Sequence, residues 1–99
     1  MTAPSLKNKP VRFSKKELQK RVEFIIAKEV CQVCEENTYL DYPHHAVYGW
    51  SSKDDRTLVN ICISCHTIIH TKGYDILPKT RKEVEAIGWA NDKEYNEQV

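Results

Sequence analysis

Several features that would place this chain in other structural classes are missing from its sequence. No apolar run approaches the roughly 20 residues that a membrane-spanning helix requires. The first ten residues contain no apolar core of the kind found in a secretory signal. Internal repeats and low-complexity tracts are also lacking. We therefore expect a cytoplasmic protein that has no membrane partner.

The chain is also short of material for a large hydrophobic core. It has 99 residues, of which 40% are hydrophobic and 29% are charged, a composition that fits one domain. A domain of this size buries only about two thirds of the surface that its unfolded chain exposes. Polar stretches at both ends reduce the usable core further, so the sequence predicts an additional staple.

The four cysteines can supply that staple. They form two close pairs, Cys31/Cys34 and Cys62/Cys65. Disulfides would require an oxidising compartment, whereas two Cys-x2-Cys pairs in an intracellular chain are typical of a closed tetrahedral zinc site. A zinc finger of two cysteines and two histidines is excluded by length, since 31 residues separate Cys34 from His66, where a finger leaves roughly 12 to 15. We predict one structural Zn²⁺ on the four cysteines.

Positive charge is concentrated at the N-terminal end. Seven basic residues against one acidic residue give the segment Met1–Arg21 a charge of +6, so the rest of the chain carries −5 within a total of +1. A basic arm is the usual electrostatic footprint for a phosphate backbone, although charge runs also occur as solvated faces. The basic residues that we expect to contact nucleic acid here are Lys7, Lys9, Arg12, Lys15 and Lys16.

The first third of the chain predicts a leader and a helix. Residues 1–13 are expected to form a flexible basic leader. Ser14 followed by Glu17 matches a capping box, and the apolar residues that follow recur at helical spacing. This pattern predicts a helix from about Lys15 to Lys28, with its apolar stripe in the core.

The middle of the chain predicts two strands and a helix. Tyr39–Val47, irregular around its proline, and Thr57–Ile61 are rich in β-branched and aromatic residues, and a polar loop, Tyr48–Arg56, lies between them. A short helix should begin near His66 and end at Gly73, because glycine commonly follows the last helical residue.

The last part of the chain predicts one more short helix. Thr80 with Glu83 matches a second capping box, and the apolar stripe that follows extends to Gly88. We therefore place the folded domain at residues 14–89 and expect residues 90–99 to form a polar C-terminal tail.

All four histidines fall in two tight groups, His44-His45 and His66-x3-His70. The second pair is one helical turn apart, so both imidazoles face the same side and can bind one ion. Isolated histidines are more often surface or core residues, but two doublets beside a cysteine cluster favour a second metal site.

The order of these motifs resembles the zinc-containing branch of the HNH, or His-Me finger, endonucleases. The matching segments are Cys31-x2-Cys34, His44-His45 and Cys62-x2-Cys65-His66-x3-His70. The resemblance covers the chain from Cys31 to His70. It implies a small single α+β domain with a ββα-metal (HNH) motif, a four-cysteine zinc site and flanking helices.

The resemblance also implies a function and a role for each histidine. His44, His66 and His70 become ligands of a catalytic divalent metal (Mg²⁺, Mn²⁺, Ni²⁺ or Zn²⁺), and His45 becomes the general base. The implied activity is hydrolysis of phosphodiester bonds in duplex or branched DNA, which leaves a 5′-phosphate and a 3′-hydroxyl. A homodimer, or larger phage or restriction machinery in a bacterial or phage-infected cell, is the implied setting.

The chemistry of hydrolysis accounts for these residue types independently. Cleaving a phosphodiester requires an activated water and a cation that neutralises the charge gathering on the transition state. One ion on three neutral imidazoles keeps open positions for phosphate oxygens. An unliganded histidine such as His45, with a reference pKa near 6.5, can accept the proton of the water at neutral pH.

One position departs from the family pattern. The family usually has an Asn nine positions before the histidine that follows the last cysteine, whereas this chain has Thr57 there and Asn60 three positions out of register. That Asn pins the loop that carries the catalytic histidine, and a hydroxyl offers one donor where an amide offers two. Thr57 is therefore a candidate catalytic-site residue. The alternative function is a non-catalytic, zinc-stabilised nucleic-acid-binding module that has lost the central Asn.

Charged and aromatic residues also lie in the loop between the strands. Lys53 and Arg56 can hold phosphates, Arg through two parallel hydrogen bonds. Asp54 and Asp55 oppose that role, and pairing of these carboxylates with Arg56 to order the loop is slightly favoured. Trp50 can stack on a base or pack against the core, and packing is favoured. A pure protein-interaction scaffold is a further alternative, against which the basic arm counts.

Overall fold

Three helices flank short antiparallel strands in the computed structural model, which describes residues 10–49 and 52–98 without the side chains of residues 48, 49 and 52. The helices are α1 (Lys15–Ile26), α2 (Ile63–Lys72) and α3 (Arg81–Glu97). The strands are β1 (His44–His45), β2 (Tyr48–Gly49), β3 (Ser52–Lys53) and β4 (Leu58–Val59). The predicted α+β class is confirmed. No helix in the described part of the chain is long and apolar enough to cross a membrane.

The two predicted strands pair with each other but are shorter than expected. β1 and β4 are antiparallel, with His44 opposite Val59, and an isolated bridge joins Leu40 to Cys62. Leu40 is four positions from His44, whereas Cys62 is three positions from Val59, so the first segment contains one extra residue. Such a bulge interrupts pairing and turns the strand locally. It falls beside Pro43, which has no N–H to donate to a sheet.

The segment predicted as a polar loop contains a second hairpin. β2 pairs antiparallel with β3, with Tyr48 opposite Lys53. Trp50, for which the sequence left two roles open, lies outside the described residues.

Helix α1 begins where the sequence predicts and ends two residues earlier. The hydroxyl of Ser14 caps it by accepting from the N–H of Glu17 at 3.2 Å. The Glu17 carboxylate is turned along the helix and accepts from Nε of Arg21 at 3.1 Å. Arg21 is buried, with its guanidinium over the rings of Phe13 and Tyr95 at 4.2 and 4.5 Å from their centroids. An arginine thus takes a core position, while Ile26 of the predicted apolar stripe is exposed.

The prediction of a polar tail over residues 90–99 is wrong, because α3 continues to Glu97. Thr80 and Glu83 form the predicted capping box, but Gly88 lies inside the helix rather than at its end. A Cβ atom at Gly88 would come within 2.8 Å of the Thr57 carbonyl oxygen, so glycine permits close packing against the strand region. Asn91 is buried one turn later, and its amide donates to the Leu58 carbonyl at 2.9 Å. These contacts hold the C-terminal half of α3 against the sheet.

The leader is also not flexible throughout. Residues 1–9, including Lys7 and Lys9, lie outside the described part of the chain. Val11 accepts from the N–H of Asp55 at 2.7 Å, and the N–H of Phe13 donates to the Asp55 carboxylate at 2.9 Å. The end of the predicted leader is therefore docked on the loop that follows β3.

The core lies between the sheet, the cysteine turns and α3. Its buried residues include three of the four cysteines and come from the first cysteine turn, the strand region, α2 and α3: Cys31, Val33, Ala46, Val59, Ile61, Cys62, Cys65 and Val84. Helix α2 ends at Gly73, as predicted, but it begins at Ile63, three residues before the predicted start, with Cys62 as its N-cap inside this core. Its first turn is therefore buried, and its later turns reach the surface.

Candidate functional site

The four cysteines converge as the sequence predicts. Cys31 and Cys34 lie in the turns after α1, Cys62 caps α2, and Cys65 lies in its first turn. Their sulfur atoms are all within 4.8 Å of one another, and none is in a disulfide. A tetrahedral site with Zn–S bonds of about 2.3 Å has sulfur separations of about 3.8 Å, so small rotations would close this cluster around an ion. The cluster could hold a structural metal such as zinc.

Backbone groups support the sulfurs. The N–H of Val33 donates to Sγ of Cys31 at 3.3 Å, and the N–H of Cys65 donates to Sγ of Cys62 at 3.3 Å. Glu35 adopts the left-handed conformation, with φ of 62°, and its N–H donates to the carbonyl of Cys31 at 2.9 Å. This closes the first cysteine turn. Donors directed at sulfur favour the thiolate, which is the form that binds metal.

Asn60 holds the first cysteine turn against the strand region. Its amide nitrogen donates to the Val30 carbonyl at 3.0 Å, and its backbone carbonyl accepts from the N–H of Gln32 at 2.8 Å. Asn60 is fully buried. Its amide thus bonds to the backbone beside Cys31, and in the described part of the chain it makes no hydrogen bond to the loop that carries His45.

The thiol pKa values show what a buried cysteine cluster costs without a metal. Burial raises the pKa of Cys62 and that of Cys65. Burial would also raise the pKa of Cys34, but hydrogen bonds from the backbone at Asn37 and Glu36 lower it to about 7. A dication would offset the cost of ionising the buried thiols. The donor set therefore fits a resident cation.

Three of the four histidines form a second cluster. Ring nitrogens of His44, His66 and His70 all lie within 4.8 Å of one another. Nε2 of His66 is 2.9 Å from Nε2 of His70, so the two imidazoles of α2 point at the same place. His44 arrives from β1, and its ring meets the ring of His66 edge-on at a centroid distance of 5.3 Å. The predicted grouping of a strand histidine with the two helix histidines is confirmed.

Two outer partners orient this cluster. Nδ1 of His66 is 3.0 Å from a carboxylate oxygen of Asp41, which leaves Nε2 of His66 to point at the cluster. Nε2 of His44 is 2.9 Å from the hydroxyl of Tyr74. A carboxylate behind a histidine is the usual arrangement at metal sites, because it fixes the ring and raises its basicity. Neither Asp41 nor Tyr74 was predicted from the sequence.

The electrostatics of His44 suit a metal ligand. The ring is buried, and burial together with the neighbouring rings of His66 and His70 lowers the pKa of His44 to about 4. It is therefore neutral at physiological pH, and only neutral imidazole binds metal. His66 is half-buried and His70 is exposed, so the cluster is open on one side.

His45 has different surroundings from its neighbour in β1. Its Nε2 is 2.9 Å from Oδ1 of Asp55, and its side chain is 8% exposed. Burial lowers the pKa of His45, and the hydrogen bond to Asp55 opposes that shift. Successive side chains of a strand point to opposite faces, which explains why His44 joins the cluster and His45 does not. His45 is thus an unliganded histidine beside a potential metal site.

The sequence favoured a pairing of Asp55 with Arg56, but the structure pairs Asp55 with His45 and Arg12. Its side chain is fully buried, with one oxygen near His45 and the other accepting from Nε of Arg12 at 3.1 Å. The expected pairing with Arg56 is made by Asp54 alone, through both carboxylate oxygens at 3.1 and 2.8 Å. An Asp-Asp-Arg run does not reveal which acid faces inward, so only the position of His45 could have indicated the pairing.

Thr57 holds together the segment that directly follows His45 and the loop before β4. Its hydroxyl accepts from the N–H of Val47 at 3.1 Å and donates to the carbonyl of Asp54 at 3.0 Å. Its backbone carbonyl accepts from the N–H of Ala46 at 3.0 Å. Thr57 is fully buried and touches neither ring of the histidine doublet through a hydrogen bond in the described part of the chain. Its position is that of a loop pin.

The basic residues predicted to contact nucleic acid divide into two groups. Lys15, Lys16 and Lys53 have exposed side chains. Arg12 and Arg56 are paired with residues of the protein itself. Arg12 contacts Asp55 but its side chain is 52% exposed, whereas Arg56 contacts Asp54 and the ring of Trp89, 4.9 Å from its centroid. For Arg56 the ordering role that the sequence slightly favoured is the one observed.

Comparison of the chain with family models, curated proteins and solved structures found no match. The function therefore depends on the site itself. Sequence reasoning missed Asp41, which Pro43 could have indicated, because Asp41 lies at the bulge beside that proline. The indication for Tyr74 is weaker: it follows Gly73, which ends α2, and its hydroxyl lies 2.9 Å from Nε2 of His44.

Proposed function

We propose that this protein is a metal-dependent endonuclease of the HNH type that hydrolyses phosphodiester bonds in DNA. The observation that carries the proposal is that His44, His66 and His70 converge in one cluster, while the neighbouring histidine, His45, is outside that cluster and bonded to Asp55. A ligand set of three imidazoles leaves coordination positions open, which distinguishes catalytic from structural metal sites. The closed cysteine cluster beside it has the opposite character.

The residues divide the reaction between them. His44, His66 and His70 would hold the divalent ion, which neutralises negative charge on the phosphate in the transition state. His45 accepts the proton of the attacking water, and the neutral state that burial favours for its ring is the state that a base requires. Asp41 keeps His66 turned toward the cluster, and Thr57 holds the segment that follows His45.

The charge distribution supports DNA as the substrate. The segment Met1–Arg21 carries +6, which includes the exposed Lys15 and Lys16 at the start of α1, and Lys53 in β3 is a further exposed lysine. Contacts of this kind position a phosphate backbone without reading its sequence. We therefore propose duplex or branched DNA as the partner, in the setting of phage or restriction machinery or of a homodimer.

A non-catalytic nucleic-acid-binding module is the second candidate function. It is favoured by the small exposed fraction of His45 and by Thr57 at the position of the central Asn. A binding module uses the cysteine cluster and the basic arm but has no need for a general base. His45 is therefore the residue that separates the two functions.

The test compares wild type with His45→Ala in nicking of supercoiled plasmid with Mg²⁺, Mn²⁺, Ni²⁺ or Zn²⁺. Loss of a positioned general base typically costs roughly 10² to 10⁴ in rate, so the variant should be slower by that factor. Zinc content, circular dichroism and DNA affinity should be nearly unchanged. Equal nicking by the two proteins would reject His45 as the base, and no nicking by either would favour the binding module.

A further inference from the structure

The hydrogen bond between His45 and Asp55 constrains where the proton of the imidazole lies. Nε2 of His45 is 2.9 Å from Oδ1 of Asp55. An ionised carboxylate can only accept hydrogen bonds, so Nε2 must carry the hydrogen. In a neutral imidazole the lone pair then lies on Nδ1, which is the nitrogen able to accept a proton.

Nδ1 of His45 is free to perform that task. Among the described residues no hydrogen bond to Nδ1 is found, since the bond to Asp55 is made through Nε2. The His45 side chain as a whole is 8% exposed. Nδ1 thus carries the lone pair and is not engaged by Asp55.

Asp55 is itself held from a second direction. Its other oxygen, Oδ2, accepts from Nε of Arg12 at 3.1 Å and from the N–H of Phe13 at 2.9 Å, and its own N–H donates to Val11. Arg12, Phe13 and Nε2 of His45 are thus three donors to one fully buried carboxylate. Charge-assisted hydrogen bonds of this kind are stronger than neutral ones and fix the orientation of the carboxylate. Segment 11–13 thereby limits the rotation of the group that contacts His45.

We propose that Asp55 is a positioning residue for the general base: it holds His45 with hydrogen on Nε2 and the lone pair on Nδ1, and the docked segment 11–13 holds Asp55. The inference rests on the proposed nuclease function for its kinetic consequence, but the arrangement of hydrogens is a property of the folded chain alone. It extends the role of the basic arm, since Arg12 at the end of that arm also binds a carboxylate of the protein itself.

Asp55→Asn is the sharpest test because the side chain keeps its shape. The amide oxygen should stay with the two donors at the Oδ2 position, Arg12 and Phe13, which places the NH₂ group opposite Nε2 of His45. That group donates, so Nε2 must accept and the hydrogen moves to Nδ1. The base is then in the wrong tautomer while its position is retained. Asp54→Asn is the matched control, since Asp54 is a buried neighbour in the same loop that pairs with Arg56 and not with His45.

The tautomer is measured by long-range ¹H–¹⁵N correlation spectra of the zinc-loaded full chain at neutral pH, with the His45 signals assigned through His45→Ala. Wild type and Asp54→Asn should show a protonated Nε2 and an unprotonated Nδ1, and Asp55→Asn should show the reverse. In plasmid nicking, Asp55→Asn should lose about 10² to 10⁴ in kcat with little change in KM. Asp54→Asn should keep a kcat near that of wild type.

The two readouts separate the possible failures. Hydrogen on Nδ1 of wild-type His45, or the same tautomer in wild type and Asp55→Asn, would overturn the positioning role whatever the activity. If Asp55→Asn does not fold, the wild-type spectrum alone decides, since hydrogen on Nδ1 would exclude Asp55 as the acceptor that sets the tautomer. The expected tautomers together with a complete lack of nicking would uphold the His45–Asp55 arrangement and overturn the nuclease function.

Discussion

Cys65 and His66 are neighbours in α2, but they belong to ligand groups with opposite surroundings. The cysteine group is enclosed in the hydrophobic core, and backbone N–H groups point at its sulfurs. The histidine group is open on one side, and its outer support comes from the side chains of Asp41 and Tyr74. A single helix thus joins a buried cluster to a cluster that is open to solvent on one side.

The difference shows how one short helix can serve two purposes. Its first turn is fixed by Cys62 and Cys65, which are part of the core, so the orientation of the helix is set there. His66 and His70 follow at the next turns and inherit that orientation. The closed group should therefore control folding, and the open group should control metal affinity and activity with little effect on folding.

Loss of the closed group should have the largest effect. Cys62→Ser removes a sulfur that is both a ligand and the N-cap acceptor of α2. Structural zinc contributes about 10 to 16 kcal/mol in small peptides, as much as or more than the entire stability of a typical domain. We expect the variant to be largely unfolded by circular dichroism and to lack zinc by elemental analysis. Ser64→Ala, an exposed change between the two cysteines, is the control. A folded, zinc-free Cys62→Ser protein would contradict the division of roles.

Loss of one open-group ligand should have a smaller and more selective effect. His70→Ala removes an exposed imidazole that is not a member of the core cluster. Its loss should weaken Ni²⁺ binding to the zinc-loaded protein by more than about 100-fold, since loss of an outer partner alone costs 10- to 100-fold. Calorimetric titration measures the affinity, and Thr71→Ala at the next position is the control. A large fall in melting temperature for His70→Ala alone would mean that the open group also stabilises the fold.

The sequence indicated the two Cys-x2-Cys pairs and the His66-x3-His70 pair through spacing, whereas His44 was added to the histidine group only through the resemblance. Two Cys-x2-Cys pairs and a His-x3-His pair can each be recognised locally, and the capping residues Ser14 and Thr80 marked helix starts that the structure has. The positions of the strands could be predicted but their lengths could not, since the bulge beside Pro43 changes the register without an obvious change in composition.

The supporting residues could not be predicted in the same way. Asp55 and Arg12 are 43 positions apart, and nothing local shows that the arm folds back onto the loop. The length of α3 was missed because Gly88 was interpreted as a helix end, whereas its lack of a side chain is needed for contact with Thr57. Polar residues after Gly88 suggested a tail, yet Asn91 is buried by a hydrogen bond to the Leu58 carbonyl. Long-range polar contacts of this kind leave no periodic pattern.

Removal of an outer partner should produce the smallest of these effects and shows how far the open group depends on its support. Asp41→Ala deletes the carboxylate that accepts from Nδ1 of His66 and leaves all three imidazoles in place. Metal affinity should fall by about 10- to 100-fold, because the ring of His66 becomes less basic and is free to rotate. Asp75→Ala, which removes an exposed carboxylate that is not a member of the histidine cluster, is the matched control for the change in net charge.

Calorimetric titration of zinc-loaded Asp41→Ala, Asp75→Ala and wild type with Ni²⁺ makes the comparison, and melting temperatures recorded alongside exclude a general loss of structure. Equal weakening in both variants would assign the effect to net charge, and unchanged affinity in Asp41→Ala would show that the helix alone orients His66. Weakening confined to Asp41→Ala would mean that the bulge beside Pro43 has a functional consequence. It places a carboxylate behind a ligand of α2, so the strand segment and the helix together define the open site.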